Sequence, residues 1–185
     1  VSKARYIAQA GVIAAVYGSL TWVTLAFGGM LAWGPVQFRV SEAATVLALF
    51  TPASIPGLTV GSIVANLLNP SAAFPLSLLD VVLGSFATCL GAIWTWRLRS
   101  RPLVALLGPV VTNAFIVAAY LPILLKGFGV SQVPLLGLSL DGAWLPLYGV
   151  FVVSVAVGQA VVVYGVGLPL LIALRRSGNA GLLGR

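Results

Sequence analysis

Uncharged, mostly apolar stretches run from Tyr6 to Phe38, Ala43 to Leu79, Val81 to Trp96, Leu103 to Leu125 and Gly142 to Leu174. A helix needs about 20 apolar residues to cross ~30 Å of hydrocarbon, so the second stretch is too long for one crossing. Pro52 and Pro56 divide it, because each removes a backbone donor and restrains the residue before it. The pattern predicts six helices, roughly at residues 6–31, 40–54, 57–69, 77–98, 102–125 and 144–174, in a single transmembrane domain covering 1–185. The third is short, and short or interrupted spans mark solute sites in many membrane proteins.

Composition agrees with an all-α integral membrane protein: 60% of residues are hydrophobic, 7% are charged, and mean hydropathy is +1.10. Lys3, Arg5, Arg97, Arg99, Arg101, Arg175, Arg176 and Arg185 fall on one side of this threading. Glu42, Asp80 and Asp141 fall on the other, with Arg39 and Lys126. Lysine and arginine accumulate in cytoplasmic loops, so both termini are expected in the cytoplasm. The net charge of +7 comes from cations at membrane edges, which suits anionic headgroups and not nucleic acid.

With no histidine and one cysteine, the chain has no material for a zinc site or a Ser-His-Asp hydrolase. It carries no phosphate loop of the Gly-x-x-x-x-Gly-Lys-Ser/Thr kind, and its three acids are too scattered to cluster around magnesium. An enzyme is not expected, nor a metal or other cofactor. Cys89, mid-helix among small residues, reads as a buried inert thiol.

The remaining polar residues point to capture of a small solute from outside. Arg39 and Glu42, three apart, are placed to pair on one helical face. Asn66 and Asn69 close the short third helix. Asp80 lies seventeen residues before Arg97, about 25 Å from the cytoplasmic edge and so near the outer one. Asn113 and Gln159 fall mid-membrane, where an unbonded amide costs several kcal/mol, on the order of the transfer penalty, so each should face the bundle interior. Gly84, Thr88 and Gly91 follow Asp80 as a narrow face. An outward-facing cavity lined by helices two to six would collect these groups.

Trp33, Phe38, Trp144 and Tyr148 form an aromatic belt at the outer interface, and Lys126 and Asp141 are solvated loop charges. In the first helix Ala4, Ala8, Ala10, Gly11, Ala14 and Ala15 make a small-residue groove. It serves either packing within the bundle or docking of a separate protein.

The blocks Gln37-Phe38-Arg39-Val40-Ser41-Glu42-Ala43, Ile55-Pro56-Gly57-Leu58, Ile63-Val64-Ala65-Asn66, Asp80-Val81-Val82-Leu83-Gly84-Ser85-Phe86-Ala87-Thr88 and Tyr164-Gly165-Val166-Gly167-Leu168-Pro169-Leu170 resemble the QueT family, in order and over most of the chain. The resemblance implies a substrate-binding S component of an energy-coupling factor importer in a prokaryotic cytoplasmic membrane. Such a component captures a queuosine precursor, a 7-deazaguanine derivative or queuine. Its implied partners are a transmembrane coupling protein and two cytoplasmic ATPases, which would account for the missing phosphate loop.

By the same resemblance, Gln37, Arg39, Glu42, Asn66, Asp80, Asn113 and Gln159 are the candidate ligand-binding residues. A guanine-like edge offers two adjacent N–H donors to one carboxylate, Glu42 first and Asp80 second. Arg39 would orient Glu42. The alanine pair that meets the coupling protein in S components maps to Ala10 and Ala14, or to Ala4 and Ala8. The family pattern places Gly-Glu where this chain has Gly158-Gln159, which favours the nitrile precursor or queuine over a cationic aminomethyl ligand. A proton-coupled secondary transporter, an S component for another vitamin-like solute, and a purely structural subunit remain the alternatives.

Overall fold

A computed structural model describes residues 2–28, 38–69, 75–127, 129–133 and 137–177. Four helices are long and apolar enough to cross a membrane. They are α1 (Lys3–Gly28), α3 (Ser77–Arg97), α4 (Pro102–Gly127, interrupted at Leu106) and α5 (Trp144–Arg176). The shorter α2, Ser54–Leu67, covers about 21 Å at 1.5 Å per residue. Pro56 sits in its first turn, where a missing N–H costs nothing.

Between α1 and α2 the expected α-helix is instead a 3-10 helix, Val40–Leu49. Ten residues at about 2.0 Å each extend some 20 Å, a third farther than an α-helix of the same length would reach. In this geometry residues three apart stand in one row, so Glu42 and Thr45 share a face. Ala43, Ala44 and Ala48 keep the segment thin enough to be buried along nearly its whole length.

Neighbouring helices pack in chain order, α1 on α2, α2 on α3, α3 on α4 and α4 on α5, while the 3-10 helix touches α1, α2, α3 and α5. It therefore fills the inside of the arc. Backbone contacts are closest at glycines. A Cβ on Gly57 would meet the Ala10 carbonyl oxygen at 2.8 Å, and one on Gly61 would meet that of Ala14 at 2.8 Å. Ala10 and Ala14 thus meet α2 and are half-buried, whereas Ala4, Ala8, Gly11 and Ala15 are exposed. The expected groove is split between these two faces.

Two helices contain a π turn, Asp80–Gly84 in α3 and Val163–Gly167 in α5. Each extra residue per turn widens the helix and rotates its next turn, a distortion common at functional sites. The second brings Gly167 against Val46 of the 3-10 helix.

The chain is not purely helical. Gln132–Val133 and Leu138–Ser139 pair antiparallel, with Gln132 opposite Ser139. Val133 and Leu140 join a core of Leu121, Leu125, Leu147 and Phe151, so this connection packs onto α4 and α5. Lys126 donates to Asp141 at 2.6 Å across the same end. The reading of the two as merely solvated charges is corrected to that extent. Their side chains are 46% and 81% exposed, where solvent weakens the attraction. Lys126→Ala is expected to change stability by less than about 1 kcal/mol, as read by thermal unfolding in detergent.

The outside of the bundle is apolar, with Ile7, Phe27 and Leu145 each more than two-thirds exposed. Trp144 and Tyr148 stack there at 4.9 Å. Cys89 is half-exposed in an outer groove beside Phe86, not buried as its sequence context suggests.

Candidate functional site

Two buried polar clusters meet where the 3-10 helix enters the bundle. The first is built on Asp80, at the start of the π turn in α3. Its Oδ2 accepts from Arg39 Nη2 at 2.9 Å, and its Oδ1 accepts from the Tyr120 hydroxyl of α4 at 2.7 Å. Asn66 Nδ2 of α2 donates to the Asp80 carbonyl oxygen at 2.9 Å and to Ser62 Oγ at 3.4 Å. Ser85 Oγ donates to Ser62 Oγ at 3.2 Å. Gly84 makes room for this convergence, since a Cβ there would lie 3.0 Å from the Tyr120 hydroxyl and 3.2 Å from Asp80 Oδ1.

Arg39 is 8% exposed and Asp80 6%, so their pair is buried and both charges depend on it. The ion pair runs across 41 residues of chain rather than along the helix to Glu42. This corrects the pairing read from the spacing of Arg39 and Glu42. Both oxygens of the Asp80 carboxylate already hold a protein donor, and this cluster reads as a clamp joining the 3-10 helix to α2, α3 and α4.

The second cluster is built on Glu42, 1% exposed. Its Oε1 accepts from the Tyr17 hydroxyl of α1 at 2.6 Å. Its Oε2 has no hydrogen-bond partner among the described residues, and neither do Thr45 Oγ1, Ser41 Oγ, Asn113 Nδ2 or Gln159 Oε1. Thr45 and Asn113 stand beside Glu42 without closing a good hydrogen bond to it. Buried polar atoms are paired in almost every folded protein, and leaving one unpaired costs about 1–3 kcal/mol. Glu42 Oε2, with Thr45 and Asn113 beside it, is thus open to a further hydrogen bond. The free atoms comprise carbonyl and carboxylate acceptors on Glu42 and Gln159, one amide donor on Asn113, and hydroxyls that serve either way.

Of the residues proposed from sequence, Arg39, Asn66 and Asp80 thus enter the clamp, while Glu42, Asn113 and Gln159 are buried with free polar atoms. Gln37 lies outside the described residues. Sequence reasoning missed Tyr17, Tyr120, Ser62, Ser85, Ser41 and Thr45. Tyr17 carried a readable signal, because a tyrosine mid-span, away from the interfacial belts, has a hydroxyl that must find a partner inside.

Three grooves on the outer surface, of about 450, 490 and 590 Å³, are lined mainly by apolar side chains. None includes a member of either polar cluster apart from Ser85 at the edge of the largest, and grooves of that kind suit lipid chains better than a polar solute. No group of three or more metal-binding side chains occurs among the described residues.

An apolar helical bundle with charges buried inside it is the architecture of an integral membrane protein. The profile of the QueT transporter family matches residues 7–176, and the chain belongs to that family. No curated protein and no solved structure matches it.

Proposed function

We propose that the chain is the substrate-binding S component of an energy-coupling factor importer, capturing a 7-deazaguanine queuosine precursor or queuine from outside a prokaryotic cell. In this reading all six helices, the two short ones included, span the cytoplasmic membrane, and both termini lie in the cytoplasm. A coupling protein and two ATPases supply the energy. The observation that carries the proposal is the buried Glu42 carboxylate, with one oxygen free and Thr45 and Asn113 beside it.

A guanine-like lactam edge complements that set. Its adjacent N–H donors suit the Glu42 carboxylate, with Gln159 Oε1 as a further acceptor, and its carbonyl suits Asn113 Nδ2. Gln159 is neutral, and Arg39 already neutralises Asp80, so no second carboxylate is free for a cationic aminomethyl substituent. The nitrile precursor, which carries no such cation, is therefore the preferred ligand.

The test is titration of the detergent-purified chain with the nitrile and aminomethyl 7-deazaguanines, queuine and guanine, followed by tryptophan fluorescence. Glu42→Gln keeps the shape and removes the charge. It is expected to weaken binding by about 1.5–3 kcal/mol, or roughly ten- to a hundredfold. Unchanged binding would remove Glu42 from the site. The buried carboxylate with a free oxygen also supports a second reading, a proton-coupled secondary transporter. That reading requires uptake by vesicles holding this chain alone and driven by a proton gradient, whereas the S component requires the ATPases.

A further inference from the structure

The two oxygens of the Glu42 carboxylate are not equivalent, and the difference originates in α1. Tyr17 is 1% exposed, and its hydroxyl has a single proton, which goes to Oε1 at 2.6 Å. The next buried hydroxyls along α1 are committed elsewhere, and Ser19 is exposed. Thr21 Oγ1 donates to the Tyr17 carbonyl oxygen and Thr24 Oγ1 to that of Leu20. No other α1 side chain is shown holding Glu42.

We infer that Tyr17 is the positioning residue for ligand capture: it fixes one oxygen of Glu42 and so presents the other, Oε2, to the N–H edge of the ligand. The inference rests on the proposed role of Glu42 as the ligand-reading carboxylate. A glutamate carboxylate rotates broadly about its last torsion unless something holds it. A tyrosine ring is well suited to do so, since it is rigid beyond two torsions and here stands on a helix seated against the Gly57 and Gly61 backbone. Oε1 keeps one lone pair after accepting from Tyr17, so a two-pronged pair with adjacent ligand donors remains open. The bond also ties α1 to the occupied site, though Tyr17 itself has no donor left for the ligand.

The experiment is a double-mutant cycle on binding, with Tyr17→Phe and Glu42→Gln, using the tightest-binding of the four probes. Tyr17→Phe removes one oxygen and little packing, and the ligand-free variant is expected to unfold within a few degrees of the unmodified chain. Its affinity should fall about tenfold. Hydrogen bonds to a charged acceptor are about twice as strong as neutral ones, so in the Glu42→Gln background the same change should cost only about threefold. Tyr17→His, which keeps an N–H donor, should bind more tightly than Tyr17→Phe.

Undiminished binding by Tyr17→Phe would overturn the role of Tyr17 while leaving Glu42 in the site. An equal loss in both backgrounds would overturn it too, by showing that Tyr17 acts through packing alone. Failure of the unmodified chain to bind any probe would overturn the proposed ligand and this inference together.

Discussion

Arg39→Met is expected to destabilise the bundle by about 3–5 kcal/mol, because it leaves the Asp80 carboxylate buried without its cation. That is a large fraction of the 5–15 kcal/mol, in order of magnitude, that holds a typical domain folded. The Tyr120 hydroxyl and the Asn66 amide remain in place but carry no charge, and cannot substitute for a guanidinium 2.9 Å away. Removing both charges should be far milder. In Arg39→Met with Asp80→Leu the Asp80 carboxylate is removed with its cation, and replacing a buried pair by apolar residues is often neutral. Thermal unfolding of the two variants in one detergent checks this. If Arg39→Met cost no more than the double variant, the clamp would not be holding the 3-10 helix through charge.

Gly61→Ala is the second large effect expected, and here two contributions oppose each other. Alanine in place of a helical glycine gains roughly 0.5–1 kcal/mol from reduced backbone freedom. The added Cβ, however, would lie 2.8 Å from the Ala14 carbonyl oxygen and 3.0 Å from Tyr17 Cβ. A backbone oxygen cannot rotate away, so α1 and α2 must separate, and overpacking of that kind costs about 1–3 kcal/mol. The clash wins. Gly57→Ala meets the same obstacle at the Ala10 carbonyl, and the two together should loosen α1 as a unit. Gly149→Ala, where nothing lies within 4 Å, is the control and should be neutral or slightly stabilising. Because Tyr17 stands beside Gly61, the double glycine variant should also lose ligand affinity. Unchanged unfolding of Gly61→Ala would show that α1 and α2 do not pack as closely as described.

Much of the site is legible without the fold, because a charge or amide inside an apolar stretch is costly and so conspicuous. Glu42, Asp80, Asn113 and Gln159 stand out against their neighbours for that reason alone. Their division into two clusters is not legible in the same way. The i,i+3 spacing of Arg39 and Glu42 suggests a pair along one α-helix, but Arg39 precedes a 3-10 helix and turns instead to Asp80, forty-one residues on. Tyr17 and Tyr120 escape notice because an aromatic residue blends into an apolar span until its hydroxyl has a visible partner.

The small residues of α1 show the same limit. Ala10 and Ala14, or Ala4 and Ala8, are equally good candidates for a docking face by spacing. Contact with Gly57 and Gly61 sets the first pair, half-buried, against α2 and leaves the second exposed. Nothing in α1 itself separates them, since the choice depends on where a different helix has glycine.

The apolar spans and the residues too polar to face lipid are legible along the chain. Each of those depends on sums over neighbouring residues and on the position of proline. Packing in three dimensions sets the 3-10 helix at residues 40–49, the π turns of α3 and α5, the pairing of Arg39 with Asp80, and the hold of Tyr17 on Glu42. Those depend on helix rotation and close backbone approach between distant segments, which local spacing does not encode.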